Sequence, residues 1–156
     1  MLETVLELFV IRRLSVQVRL PAPVLITMAP QQQFMRRVLV VEDDYELAEL
    51  LSDVLTYENC TCDIATNGME AMEKLRGQNF DAIICDLILP RTDVESFYKE
   101  VVRLYPYLAD KILFVGPSAA QRAGVGDFVP STGNTLLEKP FEMDDFRTAL
   151  LDLWKR

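Results

Sequence analysis

Four charged residues in this chain follow or end apolar runs, and their types suit the chemistry of phosphate. Glu42 and Asp43 come directly after one apolar run, and Asp86 ends a second. Lys139 ends a third, shorter run. Clustered carboxylates repel one another, and Mg²⁺ relieves that repulsion because it prefers oxygen ligands and leaves positions for phosphate oxygens. An ammonium at Lys139 can neutralise an incoming phosphoryl group. These residue types fit phosphoryl transfer to a carboxylate, with Asp86 as the nucleophile.

Strand and helix patterns alternate five times along the chain, which predicts an α/β fold. Short apolar runs predict strands at 38–41, 60–65, 81–85, 112–115 and 136–138. Helical spacing predicts helices at about 47–57, 68–77 and 94–105, a short frayed helix within 118–131, and a last helix capped by Asp144 or Asp145. Right-handed crossovers then give a parallel sheet with helices on both faces. Ligands bind beyond the carboxyl ends of such strands, where the charged residues fall.

The composition excludes several kinds of site. Lys and Arg number 16 against 24 Asp and Glu, and this net charge of −8 argues against a nucleic-acid-binding surface. The chain has no histidine, which excludes Ser-His-Asp and Cys-His catalysis, imidazole metal sites and a phosphohistidine on this chain. Three cysteines, without the spacing of a disulfide framework, indicate a reducing compartment. We therefore expect a cytoplasmic protein that binds no nucleic acid.

Residues 1–35 differ from the remainder, and we expect one folded domain at 36–156. The first apolar residues have helical spacing, but Arg12 and Arg13 interrupt them far short of a membrane span, so we expect no membrane insertion. Three prolines and the glutamine tract at 31–33 are typical of a linker. We predict a poorly ordered N-terminal arm, with a partner-binding helix and a non-native extension as the open alternatives.

Three blocks of sequence resemble the signature blocks of receiver domains in bacterial two-component signalling. They are Val40-Val41-Glu42-Asp43-Asp44, Asp81 to Pro90, and Leu137-Glu138-Lys139-Pro140-Phe141. The resemblance implies a flavodoxin-like, doubly wound five-stranded sheet with strand order 2-1-3-4-5. It implies that Glu42 and Asp43 are the family's acidic pair. It also implies that Asp86 is the phosphoacceptor and Lys139 the phosphoryl contact. The backbone carbonyl of Ile88 would be a further ligand of Mg²⁺.

Three positions depart from the pattern of that family. The family normally has Thr or Ser at the end of strand four, where this chain has Gly116. The aromatic switch position before the lysine matches Leu136, and Val94 replaces a common glycine. The resemblance therefore implies phosphorylation without the usual relay from a hydroxyl to an aromatic ring. The run from Phe128 to Phe141 is similar to receivers of hybrid sensor histidine kinases.

The leading hypothesis is a stand-alone receiver, phosphorylated in trans by a histidine kinase or a histidine phosphotransfer protein. We expect signalling through protein contacts, no output domain after Arg156, and no enzyme activity beyond the domain's own phosphorylation and dephosphorylation. We also consider a dimer formed through the last strand and helices. A docking module that is never phosphorylated is the alternative that Gly116 keeps open. A phosphatase of the haloacid dehalogenase type is less consistent, because that family needs an acid where this chain has Ile88.

Overall fold

Five strands alternate with five helices in residues 35–156, the part of the chain that the computed structural model describes. The strands are β1 (Arg36–Val41), β2 (Cys60–Ala65), β3 (Ala82–Asp86), β4 (Ile112–Pro117) and β5 (Thr135–Lys139). The helices are α1 (Tyr45–Tyr57), α2 (Gly68–Gly77), α3 (Val94–Leu104), α4 (Val129–Thr132) and α5 (Met143–Leu153). A 3₁₀ turn, Pro106–Leu108, precedes β4. The five predicted strands are confirmed.

The predicted N-terminal arm lies, except for its last residue, outside the described residues, so its state and its boundary at residue 36 stay predictions. None of the helices in the described part of the chain combines the length and the apolar character needed to cross a membrane.

The strands form one parallel sheet in the order β2-β1-β3-β4-β5, which confirms the predicted flavodoxin-like fold. Val41 pairs with Cys85 across β1 and β3, and Asp86 pairs with Val115 across β3 and β4. The carboxyl ends of these three strands therefore reach the same edge of the sheet. Residues that follow β1 or end β3 are neighbours there.

Strand β3 lies at the centre of the sheet and is covered on both faces. All five of its residues are buried. Ile83 and Cys85 face a core that α2 and α3 close. Ala82 and Ile84 face a second core that α1 and α5 close. This two-sided burial is why the strand reads as a continuous apolar run. Each large apolar side chain removed from water contributes about 1.5–3 kcal/mol, so Asp86 ends a firmly packed strand.

The short frayed helix predicted within 118–131 is only partly confirmed. Residues 118–128 form turns, and α4 has four residues. Ala123, Gly124 and Gly126 have φ angles of 47°, 90° and 79°. These left-handed conformations interrupt helical hydrogen bonding, and glycine adopts them without steric cost. Pro130 lies in the first turn of α4, where its missing N–H costs nothing.

The prediction that Asp144 or Asp145 caps the last helix is wrong in its detail. Glu142 is the N-cap residue of α5. Asp145 reaches back instead, and its Oδ2 accepts a hydrogen bond of 3.1 Å from the backbone N–H of Glu142. A side chain at the third residue of a helix can thus accept from a backbone N–H at the helix start, which has no acceptor within the helix.

Leu87 packs against two glycines beside the end of β4. It follows Asp86 directly, and its side chain is 4% exposed. A Cβ added at Gly116 would lie 2.7 Å from Leu87 Cδ1, and one added at Gly126 would lie 2.5 Å from the same atom. Carbon atoms in contact are normally about 3.5–4.0 Å apart. The Leu87 side chain can therefore occupy this position only because residues 116 and 126 are both glycine.

The backbone contact of Asp145 predicts unequal effects for the two acids in the first turn of α5. Asp145→Ala is expected to lower the free energy of unfolding by about 1 kcal/mol, because it leaves the Glu142 N–H without its acceptor. Asp144→Ala removes only an exposed charge near the helix N-terminus and is expected to cost less. Urea unfolding of both variants measures the difference. Equal losses would show that the hydrogen bond contributes nothing beyond charge.

The contact between Leu87 and Gly116 predicts an energetic coupling between them. Gly116→Ser is expected to destabilise the protein by about 1–3 kcal/mol, because the new Cβ displaces a buried side chain. In a Leu87→Ala background the same substitution is expected to cost about 1 kcal/mol less, because the space is free. A double-mutant cycle measured by urea unfolding gives this coupling. Additive effects would contradict the steric reason for glycine at position 116.

Candidate functional site

The carboxyl ends of β1, β3 and β5 bring the predicted charged residues into one depression. It has a volume of about 340 Å³. The residues that line it are Glu42, Asp43, Asp44, Asp86, Ile88, Pro117, Gln121 and Lys139. Five of the eight are site residues that the sequence predicts. The two predicted switch positions, Gly116 and Leu136, do not line it.

Lys139 joins two buried carboxylates that are far apart in the sequence. Its Nζ lies 2.5 Å from Asp86 Oδ2 and 3.2 Å from Glu42 Oε2. Glu42 is 3% exposed and Asp86 5% exposed. Buried charges are costly unless they are paired and hydrogen-bonded, so these two acids depend on the ammonium. The side chain that ends β5 thus connects the ends of β1 and β3.

Backbone hydrogen bonds fix the second oxygen of each buried acid. Asp86 Oδ1 accepts from the N–H of Ile88 at 2.8 Å. Glu42 Oε1 accepts from the N–H of Asp44 at 3.1 Å. Asp44 in turn caps α1, because its Oδ1 accepts from the N–H groups of Glu46 and Leu47 at 3.0 and 3.2 Å. The positions of both carboxylates are therefore set before any ligand arrives.

The electrostatics of the depression favour uptake of a cation or a proton. Burial, together with the charge of Asp86, raises the pKa of Glu42 from 4.5 to about 7. Burial alone would lower the pKa of Lys139, but its hydrogen bond to Asp86 and the charges of Asp86 and Glu42 outweigh burial and raise it. Lys139 therefore carries its charge, whereas Glu42 is only partly ionised near neutral pH.

The donor set fits a hard divalent cation. Glu42, Asp43 and Asp86 each offer a carboxylate oxygen, and these oxygens lie within 4.8 Å of one another. Asp43 is exposed and can approach a ligand from the solvent side. Three carboxylates face a single ammonium, so negative charge remains uncompensated. Oxygen ligands in this number suit Mg²⁺, which binds one or two carboxylates and keeps water or phosphate oxygens.

The positions where the sequence departs from the family pattern are used for packing. Gly116 is buried in β4 against Leu87. Leu136 packs against the core that α2 and α3 close. Ser118 supplies the next hydroxyl along the chain, but its Oγ donates to Gln121 Oε1 at 3.2 Å. No serine or threonine of the described residues lines the depression.

Sequence reasoning missed three of the lining residues. Asp44 carries a detectable signal, because an Asp directly before a helical pattern is a common cap. Gln121 carries none, since it falls in the turns of 118–128, where the sequence pattern predicts a frayed helix. Pro117 marks the end of a strand in the sequence, but nothing there places it beside the acids.

Comparisons with known proteins indicate a family for this chain. A sequence model of the response regulator receiver domain matches residues 38–151. The response regulator MprA of Mycobacterium ulcerans is 27% identical over 125 residues, which cover 77% of this chain and 50% of MprA. MprA of Mycobacterium sp. strain KMS is 26% identical over 77% of this chain and 51% of its own length. This chain thus spans about half the length of the curated relatives it matches.

Solved structures agree, and this chain covers more of their length. The response regulator protein TrrA of Thermotoga maritima, in complex with Mg(2+)-BeF, is 27% identical with a TM-score of 0.65, covering 76% of this chain and 99% of TrrA. A putative response regulator from Chloroflexus aurantiacus is 28% identical with a TM-score of 0.68, covering 78% of this chain and 99% of its own. Since the family model covers most of the chain and the order of strands agrees, this chain belongs to the response regulator receiver domain family.

Proposed function

We propose that this domain accepts a phosphoryl group on Asp86 from a histidine kinase or a histidine phosphotransfer protein, and that it then signals through protein contacts. The observation that carries the proposal is the bridge from Lys139 to Asp86 and Glu42 in an acidic depression. A receiver domain is a signalling domain, and the proposed chemistry is its own phosphorylation and dephosphorylation.

Asp86 and Lys139 have separate roles in the proposed transfer. A carboxylate oxygen of Asp86 attacks phosphorus, and the bond from phosphorus to the donor's histidine nitrogen breaks. The electron pair of that bond stays with the imidazole, which takes up a proton, and Asp86 becomes an acyl phosphate. Lys139, which is already hydrogen-bonded to Asp86 Oδ2, is placed to contact the phosphoryl oxygens. Its charge opposes the repulsion between the incoming phosphate and the acids.

Mg²⁺ is the proposed cofactor, held by Glu42, Asp43 and Asp86. The carbonyl of Ile88, which lines the depression, is proposed as a further ligand. When bound, the ion would supply positive charge against the phosphoryl oxygens. The uncompensated carboxylates support this assignment, because they need a cation whether or not phosphate is present.

The remaining expectations stay part of the proposal. We also propose the cytoplasmic location, the kinase or phosphotransfer partner and the hybrid-kinase resemblance. The output of the whole protein is a proposal too, since this chain spans about half the length of the curated relatives. A dimer through β5 is supported by its place at the edge of the sheet. Burial of Cys60 and Cys85 as free thiols is consistent with a reducing compartment.

Particular residues bear on the two alternative functions, a docking module and a phosphatase. Gly116 and Leu136 favour a docking module that is never phosphorylated, because neither offers the side chain that the family's relay uses. Ile88 opposes a haloacid dehalogenase phosphatase, because its side chain is apolar and 58% exposed where that family requires an acid. Membership of the receiver family removes the remaining support for the phosphatase.

Labelling with acetyl phosphate tests the proposal. In the presence of Mg²⁺ the wild-type protein is expected to gain one phosphate, detected by intact-mass spectrometry. Asp86→Asn removes the nucleophile and Asp43→Ala a metal ligand, so neither variant is expected to be labelled. Lys139→Ala is expected to be labelled about 10²-fold more slowly, because a charge that stabilises the transferred group is lost.

Asp53→Asn is the control for labelling, because Asp53 is an exposed acid of α1 outside the depression. It is expected to react like wild type. Absence of an adduct on the wild-type protein, under conditions that label an established receiver, would support the docking module instead. Continuous release of phosphate from small substrates would support a phosphatase.

The pKa of Glu42 predicts how pH and metal affect stability. Its pKa in the folded state, about 7, lies above the value of 4.5 in an unfolded chain. Folding therefore favours the protonated form of Glu42. The stability that this preference contributes is present at low pH and is lost as pH rises through 7. With a chelator present, the free energy of unfolding is expected to fall by about 1–3 kcal/mol between pH 5 and pH 8.

Added Mg²⁺ is expected to restore stability mainly at pH 8, because it binds the ionised acids of the folded state. Urea unfolding at both pH values, with and without Mg²⁺, measures this. Glu42→Gln cannot titrate and is expected to lose this part of the pH dependence, whereas Glu73→Gln, at an exposed position of α2, is expected to keep it. An unchanged pH profile in Glu42→Gln would contradict the assignment.

A further inference from the structure

The depression around Asp86 has few groups that can donate a hydrogen bond. Four of the eight lining residues are acids, whose ionised side chains only accept. The N–H of Ile88 is already used by Asp86. Pro117 has no N–H. Among the lining residues, the side chains of Lys139 and Gln121 are the ones that carry N–H donors.

A phosphoryl group needs more than one such donor. It carries a charge of about −1.5 to −2 and three strong acceptor oxygens. Lys139 can serve the oxygens that face β5. The end of β4 borders Asp86 on the side away from β1, between β3 and β5, and it offers no side-chain donor, because Gly116 has no side chain and Leu87 occupies the space a Cβ would need. A donor on this side has to come from the turns that follow Pro117.

Gln121 lines the depression and is held there by its own turn. Its backbone N–H donates to the carbonyl of Ser118 at 2.9 Å. The Ser118 hydroxyl donates to Gln121 Oε1 at 3.2 Å. The amide oxygen is therefore engaged. The hydrogen bonds formed among residues 35–156 leave Nε2 without an acceptor, so both of its hydrogens are available to a ligand.

We propose that Gln121 donates a hydrogen bond from Nε2 to an oxygen of the phosphoryl group on Asp86, in addition to the contact from Lys139. This inference rests on the proposed phosphorylation of Asp86 and adds a second residue that contacts the group. The bond strengthens as charge develops on the transferred phosphate, so it accelerates transfer rather than merely holding the product. The residue that contributes it lies in the turns of 118–128 and not in β4.

Substitutions at Gln121 that keep its length test the proposal. Gln121→Met has a similar shape but no donor, and phosphorylation by acetyl phosphate with Mg²⁺ is expected to slow about tenfold, as for loss of one hydrogen bond to a charged group. Gln121→Lys retains an N–H donor of similar reach and is expected to stay within about threefold of wild type. Initial rates are read from intact-mass spectra over a range of acetyl phosphate concentrations.

Asp127→Asn is the matched control, since Asp127 is an exposed residue of the same turns that does not line the depression. Its rate is expected to equal that of wild type. A wild-type rate in Gln121→Met, or equal slowing in Gln121→Met and Gln121→Lys, would overturn the contact. Absence of labelling on the wild-type protein would overturn the phosphorylation of Asp86 itself, and with it this inference.

Discussion

The pairing of one ammonium with two buried carboxylates is the constraint on which this domain depends. Lys139 ends β5, and its partners Glu42 and Asp86 stand at the ends of β1 and β3. Removing Lys139 would leave the two buried carboxylates without their shared cation, and loss of one partner of a buried pair costs about 3–5 kcal/mol. The sheet must therefore keep three strand ends in register. The same register forms the oxygen-rich depression that we propose for a cation and a phosphoryl group.

The hydrophobic layers on both faces of the sheet supply the energy that holds this arrangement. β3 is buried throughout, and the helices on either side cover alternate residues of it. A carboxylate at the end of such a strand cannot move away from its neighbours, so its desolvation and its repulsion of nearby acids are permanent. The raised pKa of Glu42 reflects both effects. A bound cation would relieve this repulsion.

The sequence is most informative where short-range patterns and burial coincide. The strand β3 could be predicted because a continuous apolar run that leads into an acid is typical of a buried parallel strand. Glu42, Asp43 and Lys139 followed from the same reasoning at other strand ends. The turns of 118–128 could not be placed from the sequence, because Gly124 and Gly126 lower helix propensity without specifying that Ala123 also takes a left-handed conformation. Gln121 was missed for that reason.

Glycine at position 116 has a structural reason that also bears on signalling. Leu87 directly follows Asp86, and its side chain occupies the space between Gly116 and Gly126. A side chain at the end of β4 is thus incompatible with the present packing of Leu87, the residue next to Asp86. The turns of 118–128 rest on Leu87 through Gly126 and on β5 through the bond from the Ala119 N–H to a glutamate side chain. Residues 119–125 are mostly exposed, and segments with few buried contacts open at the lowest cost. A response to the proposed phosphorylation of Asp86 is therefore least costly in these turns and most costly in the packed strands.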